Sequence, residues 1–164
     1  MEKALEQQEL DIVIDVLTPT SNDIRSTLIC NESFSLICRK DHPILNNLTL
    51  ENYIKASHAL VALKDSRVDL VDMALANHGA TRNIVLQCEH YFAATSVISR
   101  CDMLLTMPNA YANLLKDKMP VEVVPLPFDV PVLPVHMYWH KQAEHDPING
   151  WMREKLLVIA KDLL

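Results

Sequence analysis

Apolar positions in this chain fall into short runs, and the period of those runs changes along the sequence. LDIVIDV (10–16) is rich in β-branched residues and predicts a strand after a short helical stretch at 3–9. Thr18-Pro19-Thr20-Ser21-Asn22 is loop chemistry. STLIC (26–30) and SFSLICR (33–39) predict two further strands joined by Asn31-Glu32. KDHPIL ends the second, because the residue before proline is pushed out of the helical region. Thr49 is placed to cap a short helix, LENYI.

HALVAL (58–63) predicts a strand, and Lys64-Asp65-Ser66 a tight loop. Ser66 with Asp69 three residues on has the form of a capping box; the helix it opens should run to about His78 and stop at Gly79. NIVLQCE (83–89) predicts a strand, YFAATSVIS (91–99) an apolar helix, and DMLLTMP (102–108) a strand ended by Pro108. Asn109 should cap a helix reaching about Lys118. The prolines in VEVVPLPF (121–128) confine it to an edge strand or a crossover. PVHMYWH (134–140) predicts the last strand, and Asp146-Pro147 is a strong helix start. Ile148, Trp151, Met152, Leu156, Ile159 and Leu163 then form one apolar stripe at helical spacing. Strands alternating with helices argue for a parallel sheet flanked by helices, an α/β fold. Ligands of such sheets sit outside the carboxyl ends of the strands, at helix N-termini.

Composition narrows the function. A length of 164 residues suits one domain or two small lobes, and 49% hydrophobic residues suffice for a core. Two glycines cannot supply a phosphate-cradling Gly-rich loop. A net charge of −6 argues against this chain itself wrapping nucleic acid. The charged start MEKALEQQEL lacks a basic-then-apolar leader pattern, and no run approaches a membrane span, so a soluble, cytoplasmic chain with no membrane partner is expected. Cys30, Cys38, Cys88 and Cys101 are scattered and read as reduced, mostly buried small apolar residues. No metal and no cofactor is expected, since no Cys/His pair has ligand spacing.

Three strand-to-helix junctions could carry chemistry. At Lys64-Asp65-Ser66-Arg67 a hydroxyl, free amides and two cations could hold a carboxylate-bearing ligand; the plainer alternative is a helix cap among solvated charges. His90, Tyr91 and Phe92 suit an organic ligand, against ordinary packing of the rings. Thr18 and Thr20 could offer a hydroxyl donor, against a plain surface loop. Lys64, Arg67 and Arg82 lean toward an anionic ligand. Catalysis around His140, Glu144, His145 and Asp146 is disfavoured, because no nucleophile elbow exists. No catalytic residue is expected, and the chain should not be an enzyme.

The order of these pieces resembles the effector-binding domain of LysR-type transcriptional regulators. SLICRKDHPIL is similar to the family's His-Pro crossover, and LTLENYIKASHALVAL to the helix and strand that follow. RVDLVDMALANHGATRNIVLQCEHYFAATSVISRCDMLLTMP resembles the second-lobe core, and VEVVPLPF the return crossover. MYWHKQAEHDPINGWMREKL resembles the closing strand and helix in the version found in nodulation activators. The resemblance covers essentially the whole chain. It implies two Rossmann-like lobes joined by crossover strands, like type 2 periplasmic binding proteins, with the first lobe incomplete. The implied divisions are residues 1–34 (first lobe, partial), 35–124 (second lobe) and 125–164 (return to the first lobe). It also implies a small-molecule effector between the lobes, self-association as a dimer or tetramer, and promoter DNA reached only through a helix-turn-helix domain that these residues do not contain. The opening part of the first lobe is likewise expected to be missing, in a fragment or a shortened reading frame, and the surface so uncovered favours self-association. The Tyr-Trp-His run would then be a strand returning to the first lobe, and Trp151 structural. A stand-alone small-molecule-binding module is the rival reading, which an upstream helix-turn-helix reading frame would discriminate.

Overall fold

A computed structural model describes residues 1–62 and 69–163. The chain divides into two compact units, one built from Met1–Glu32 with Val132–Leu164 and the other from Ser33–Pro131. The backbone therefore passes between them twice.

In the first unit α1 (Glu2–Glu6) is followed by β1 (Val13–Val16) and β2 (Ile24–Glu32). The chain later returns as β8 (Leu133–His140) and α6 (Pro147–Leu163). β8 lies between β1 and β2, antiparallel to both. Leu5, Ile24 and Tyr138 form its small core. Asp146 caps α6 by accepting from the Asn149 amide at 2.7 Å, with Pro147 in the first turn. The apolar stripe expected of α6 does not form its buried face. Ile148 is 72% exposed and Trp151 58%, and Met152 and Ile159 are exposed too. Asn149 is buried instead, with Arg153 and Leu156 half-buried. The tryptophan that is built in is Trp139. Its Nε1–H donates to Glu144 Oε2 at 2.9 Å, and the Arg153 guanidinium lies 4.3 Å over its ring.

The second unit contains β3 (Phe34–Arg39), α2 (Leu50–Lys55), β4 (Ser57–Val61), α3 (Leu70–Ala76), β5 (Asn83–Cys88), α4 (Tyr91–Ile98), β6 (Leu104–Pro108), α5 (Asn109–Lys116) and β7 (Val121–Pro125). The sheet order is β5-β4-β6-β3-β7, with proline-bearing β7 at an edge as its sequence requires. The sheet is mixed, not parallel: β4 is parallel to β5 and β6, while β3 is antiparallel to β6 and β7. Side chains alternate across a strand. Leu36, Cys38 and Leu104 enter one core with Tyr53 and Leu75. Ile37, Leu105 and Met107 enter the other with Ala94 and Ile98. Burial on both faces is why these strands read as unbroken apolar runs. Cys38 is buried, which pushes its thiol up to about 11, whereas Cys30, Cys88 and Cys101 are only half-buried.

Caps set the helix ends. Thr49 accepts from the Asn52 amide at 3.2 Å and opens α2. The chain leaves α3 through Gly79 at φ +64°, with Gly79 N–H donating to Ala76 O and Ala80 N–H to Leu75 O, the paired bonds of a Schellman close. Asn109 does not cap α5. It is the first helical residue, and its Oδ1 accepts from the Ser35 hydroxyl at 2.6 Å. The His-Pro pair has a local job: His42 Nδ1 accepts from the Ile44 amide at 3.0 Å, leaving Nε2–H to donate to the Asp102 carbonyl at 3.2 Å.

His58 on β4 is fully buried. It lies beside Tyr53 with ring centroids 4.5 Å apart, and its Nε2 donates to the Tyr53 carbonyl at 2.7 Å. Burial pushes this imidazole down from its ordinary 6.5 to about 4, and the nearby Arg82 charge adds to the effect. The unfolded chain therefore takes up a proton below pH 6.5 that the folded chain refuses until about 4. Stability from the neutral ring is whole above the unfolded value and is lost as pH falls through this window. The predicted loss between pH 7 and 4.5 is about 2–3 kcal/mol from this group. Urea unfolding at the two pH values should show a loss smaller by that amount in His58→Gln, which keeps an N–H for the Tyr53 carbonyl. An equal loss in both proteins would contradict the assignment.

Candidate functional site

Parallel pairing of β4, β5 and β6 brings three carboxyl ends to one edge of the second unit. Val61 pairs with Cys88, and the Ala62 N–H donates to the Cys88 carbonyl at 3.1 Å. From this edge the chain runs into residues 63–68, into His90 and α4, and into Asn109 and α5.

His90 caps α4 with extended backbone, but its imidazole makes no cap hydrogen bond and is exposed. Tyr91 is half-buried against the core, and Phe92 is 59% exposed. The edge also carries Tyr111 and Ser35, together with Asn109, which the sequence marks only as a helix cap. Tyr91 and Tyr111 sit 5.3 Å apart by ring centroid, tilted 42°. Each stands in the first turn of a helix that follows a parallel strand, so the M-P-N-A-Y spacing carried the signal.

Lys64, Asp65, Ser66 and Arg67 lie outside the described residues. The helix expected to start at Ser66 starts at Leu70, and its N-cap is Asp69, whose Oδ1 accepts from the amides of Val71 at 2.8 Å and Asp72 at 3.1 Å. Arg82 explains the choice. Its side chain is 1% exposed, with Nε donating to Asp72 Oδ1 at 2.7 Å and Nη2 lying 3.0 Å from Asp69 Oδ1. Burial works against this charge, but the Asp72 and Asp69 carboxylates outweigh it and hold the guanidinium well above its ordinary value. Arg82 is thus consumed inside the protein and is no cation for a ligand, contrary to the sequence expectation.

Thr18 and Thr20 belong to the first unit. Thr18 is exposed, but its hydroxyl already donates to the Val16 carbonyl at 3.0 Å, so it offers a ligand an acceptor and not the expected donor. Tyr138 organises this loop: its hydroxyl accepts from the Thr18 amide at 2.9 Å and donates to the Val16 carbonyl at 3.1 Å. Thr20 is half-buried. Among the described residues no helix is long and apolar enough to cross a membrane.

The chain belongs to the LysR substrate binding domain family, whose pattern matches residues 1–157. It is 26% identical over 161 residues to the HTH-type transcriptional activator NahR of Pseudomonas putida, covering 98% of this chain and 54% of that protein. It is similar in fold to a putative transcriptional regulator from Vibrio parahaemolyticus, with a TM-score of 0.85 and 26% identity over 99% of this chain and 75% of that one. The effector-binding domain of QuiR in complex with shikimate shares the fold at a TM-score of 0.73 and 15% identity, over 98% of this chain and 77% of that one. The chain spans about half the length of the curated relatives it matches.

The Asp69–Arg82 pair ties the start of α3 to the residue before β5, and Asp69's two roles separate by substitution. Asp69→Asn keeps an acceptor for the α3 amides but loses the charge; it should cost about 1–2 kcal/mol. Asp69→Ala loses the cap as well and should cost about 1 kcal/mol more. Urea unfolding of both variants checks this, and a wild-type midpoint for Asp69→Asn would refute it.

Proposed function

We propose that this chain is the effector-sensing and oligomerisation domain of a LysR-type transcriptional regulator. A small organic anion binds between the lobes, to Lys64, Asp65, Ser66, Arg67, His90, Tyr91 and Phe92 of the second lobe and to Thr18 and Thr20 of the first. Ligand binding biases lobe closure, and the geometry of a homodimer or tetramer carries the bias to promoter DNA through a separate DNA-binding domain in the cytoplasm. The domain performs no catalysis.

The observation that carries this reading is the exposed aromatic edge of the second unit. Phe92, 59% exposed, stands beside the half-buried Tyr91 at the carboxyl ends of parallel strands. Open sheets take their ligands there, and an exposed ring there gains most by being covered. With Arg82 internally paired, the preference for an anion rests on Lys64 and Arg67. The shikimate complex of QuiR supports a ring-bearing carboxylate as the class to try first.

The test is a thermal-shift and calorimetric titration of the chain with shikimate, phenylacetate and succinate. At least one should bind saturably. Its affinity should fall about tenfold or more in Phe92→Ala and in Arg67→Gln, and stay unchanged in Glu154→Gln on α6. If none of the three acids moves the melting curve at millimolar concentration, or if a bound acid is indifferent to both substitutions, the reading fails.

A further inference from the structure

A cavity of about 310 Å³ lies wholly within the first unit, between the end of α1, the turn after β8 and the first turns of α6. That volume is at the lower end of the range for small-molecule pockets, roughly 300–1,000 Å³. We propose that it binds a small organic ammonium compound that also carries a hydroxyl or carbonyl oxygen. This goes beyond the effector site, shares no residue with it, and uses different ligand chemistry.

His140 is the first argument. It lines the cavity and is only 7% exposed. Its Nδ1 accepts from the Gln142 amide at 3.3 Å, which puts the ring proton on Nε2. Among the described residues nothing in the protein accepts that proton. The residue is nine-tenths buried but this N–H still reaches solvent, so a ligand oxygen would replace water as its acceptor, while the sealed Oδ1 of Asn149 in the same wall has no partner among the described residues.

Charge is the second argument. The exposed Asp11 and Asp146 both line the cavity, and among the described residues no lysine or arginine does. The positive end of α6 offers about half a charge against these two carboxylates, so the cavity favours a cation. Asp146 spends Oδ1 on the Asn149 amide at 2.7 Å, which leaves its second oxygen. The wall is built: the buried Asn149 side chain donates from Nδ2 to the Asp11 carbonyl at 3.1 Å and ties that segment to α6. Shape is the third. Leu5, Ile148 and Met152 line the same cavity, and Ile148 is among the most exposed apolar side chains of the protein. They would cover the apolar body of the ligand.

Three probes of one skeleton separate these terms: phenylglycinol (ammonium), phenylethanediol (neutral) and mandelate (anion). Each is titrated into the full chain by calorimetry, while the His140 ring signal, assigned by its loss in His140→Gln, is followed by NMR. Phenylglycinol should bind saturably and move that signal, with mandelate at least about tenfold weaker. Asp11→Asn combined with Asp146→Asn keeps shape and helix cap. It should melt like the wild type, weaken phenylglycinol about tenfold or more, and leave the diol unchanged. The proposal is overturned if millimolar phenylglycinol leaves the His140 signal in place. It is equally overturned if mandelate binds as well, or if the double substitution has no effect on a chain that melts normally.

Discussion

The buried guanidinium of Arg82 is the constraint around which the second unit is arranged. A charge with a side chain 1% exposed is tolerable only if it is paired, and its partners are the N-cap of α3, Asp69, and Asp72 in its first turn. The pairing fixes where α3 begins, because the Asp69 carboxylate that caps the helix is the same one that faces Arg82. It also ties α3 to the amino end of β5, which pairs with β4, on whose other side β6 is aligned. The neutral His58 and the Tyr53–Thr106 hydroxyl pair at 2.8 Å complete the polar interior of this region. The three carboxyl ends meet at one edge as a consequence of strand order and parallel pairing.

Much of this was legible from residue patterns because the signals were local. Proline at 43, 108 and 147, glycine at 79 and the Thr49 and Asp146 caps act within a few residues of themselves, and the chain turns where they stand. What was not legible depended on partners far along the sequence. Ser66 and Asp69 are equally good caps in isolation, and only a buried arginine later in the chain selects Asp69. The Thr18 hydroxyl is taken by the Val16 carbonyl, in a loop whose backbone is held by Tyr138, 120 residues away from Thr18. The antiparallel β3 escaped because period identifies a strand but not its direction. Helical spacing in α6 predicted an apolar face without saying what would cover it, and Ile148 and Trp151 are exposed.

The candidate site was half readable for the same reason. His90, Tyr91 and Phe92 stand consecutively after a strand, so they announce themselves, and Tyr111 stands likewise after β6; Ser35 meets Asn109 only through pairing of β3 with β6. A fold of this kind serves many functions, and it is membership of the LysR substrate binding domain family that points to effector binding. The buried charges of Arg82, Asp69 and Asp72 are spent on structure.

The most direct measurement is an amide chemical-shift map of the chain at saturation with whichever cyclic carboxylate binds it. The account predicts that the largest shifts fall on residues 63–68 and on His90, Tyr91 and Phe92, with a second group around Thr18 and Thr20, and that the amides of Val71 and Asp72 beneath the Arg82 pair move little. Shifts confined to α6 or to the outer face of β7, with the His90–Phe92 edge silent, would contradict it.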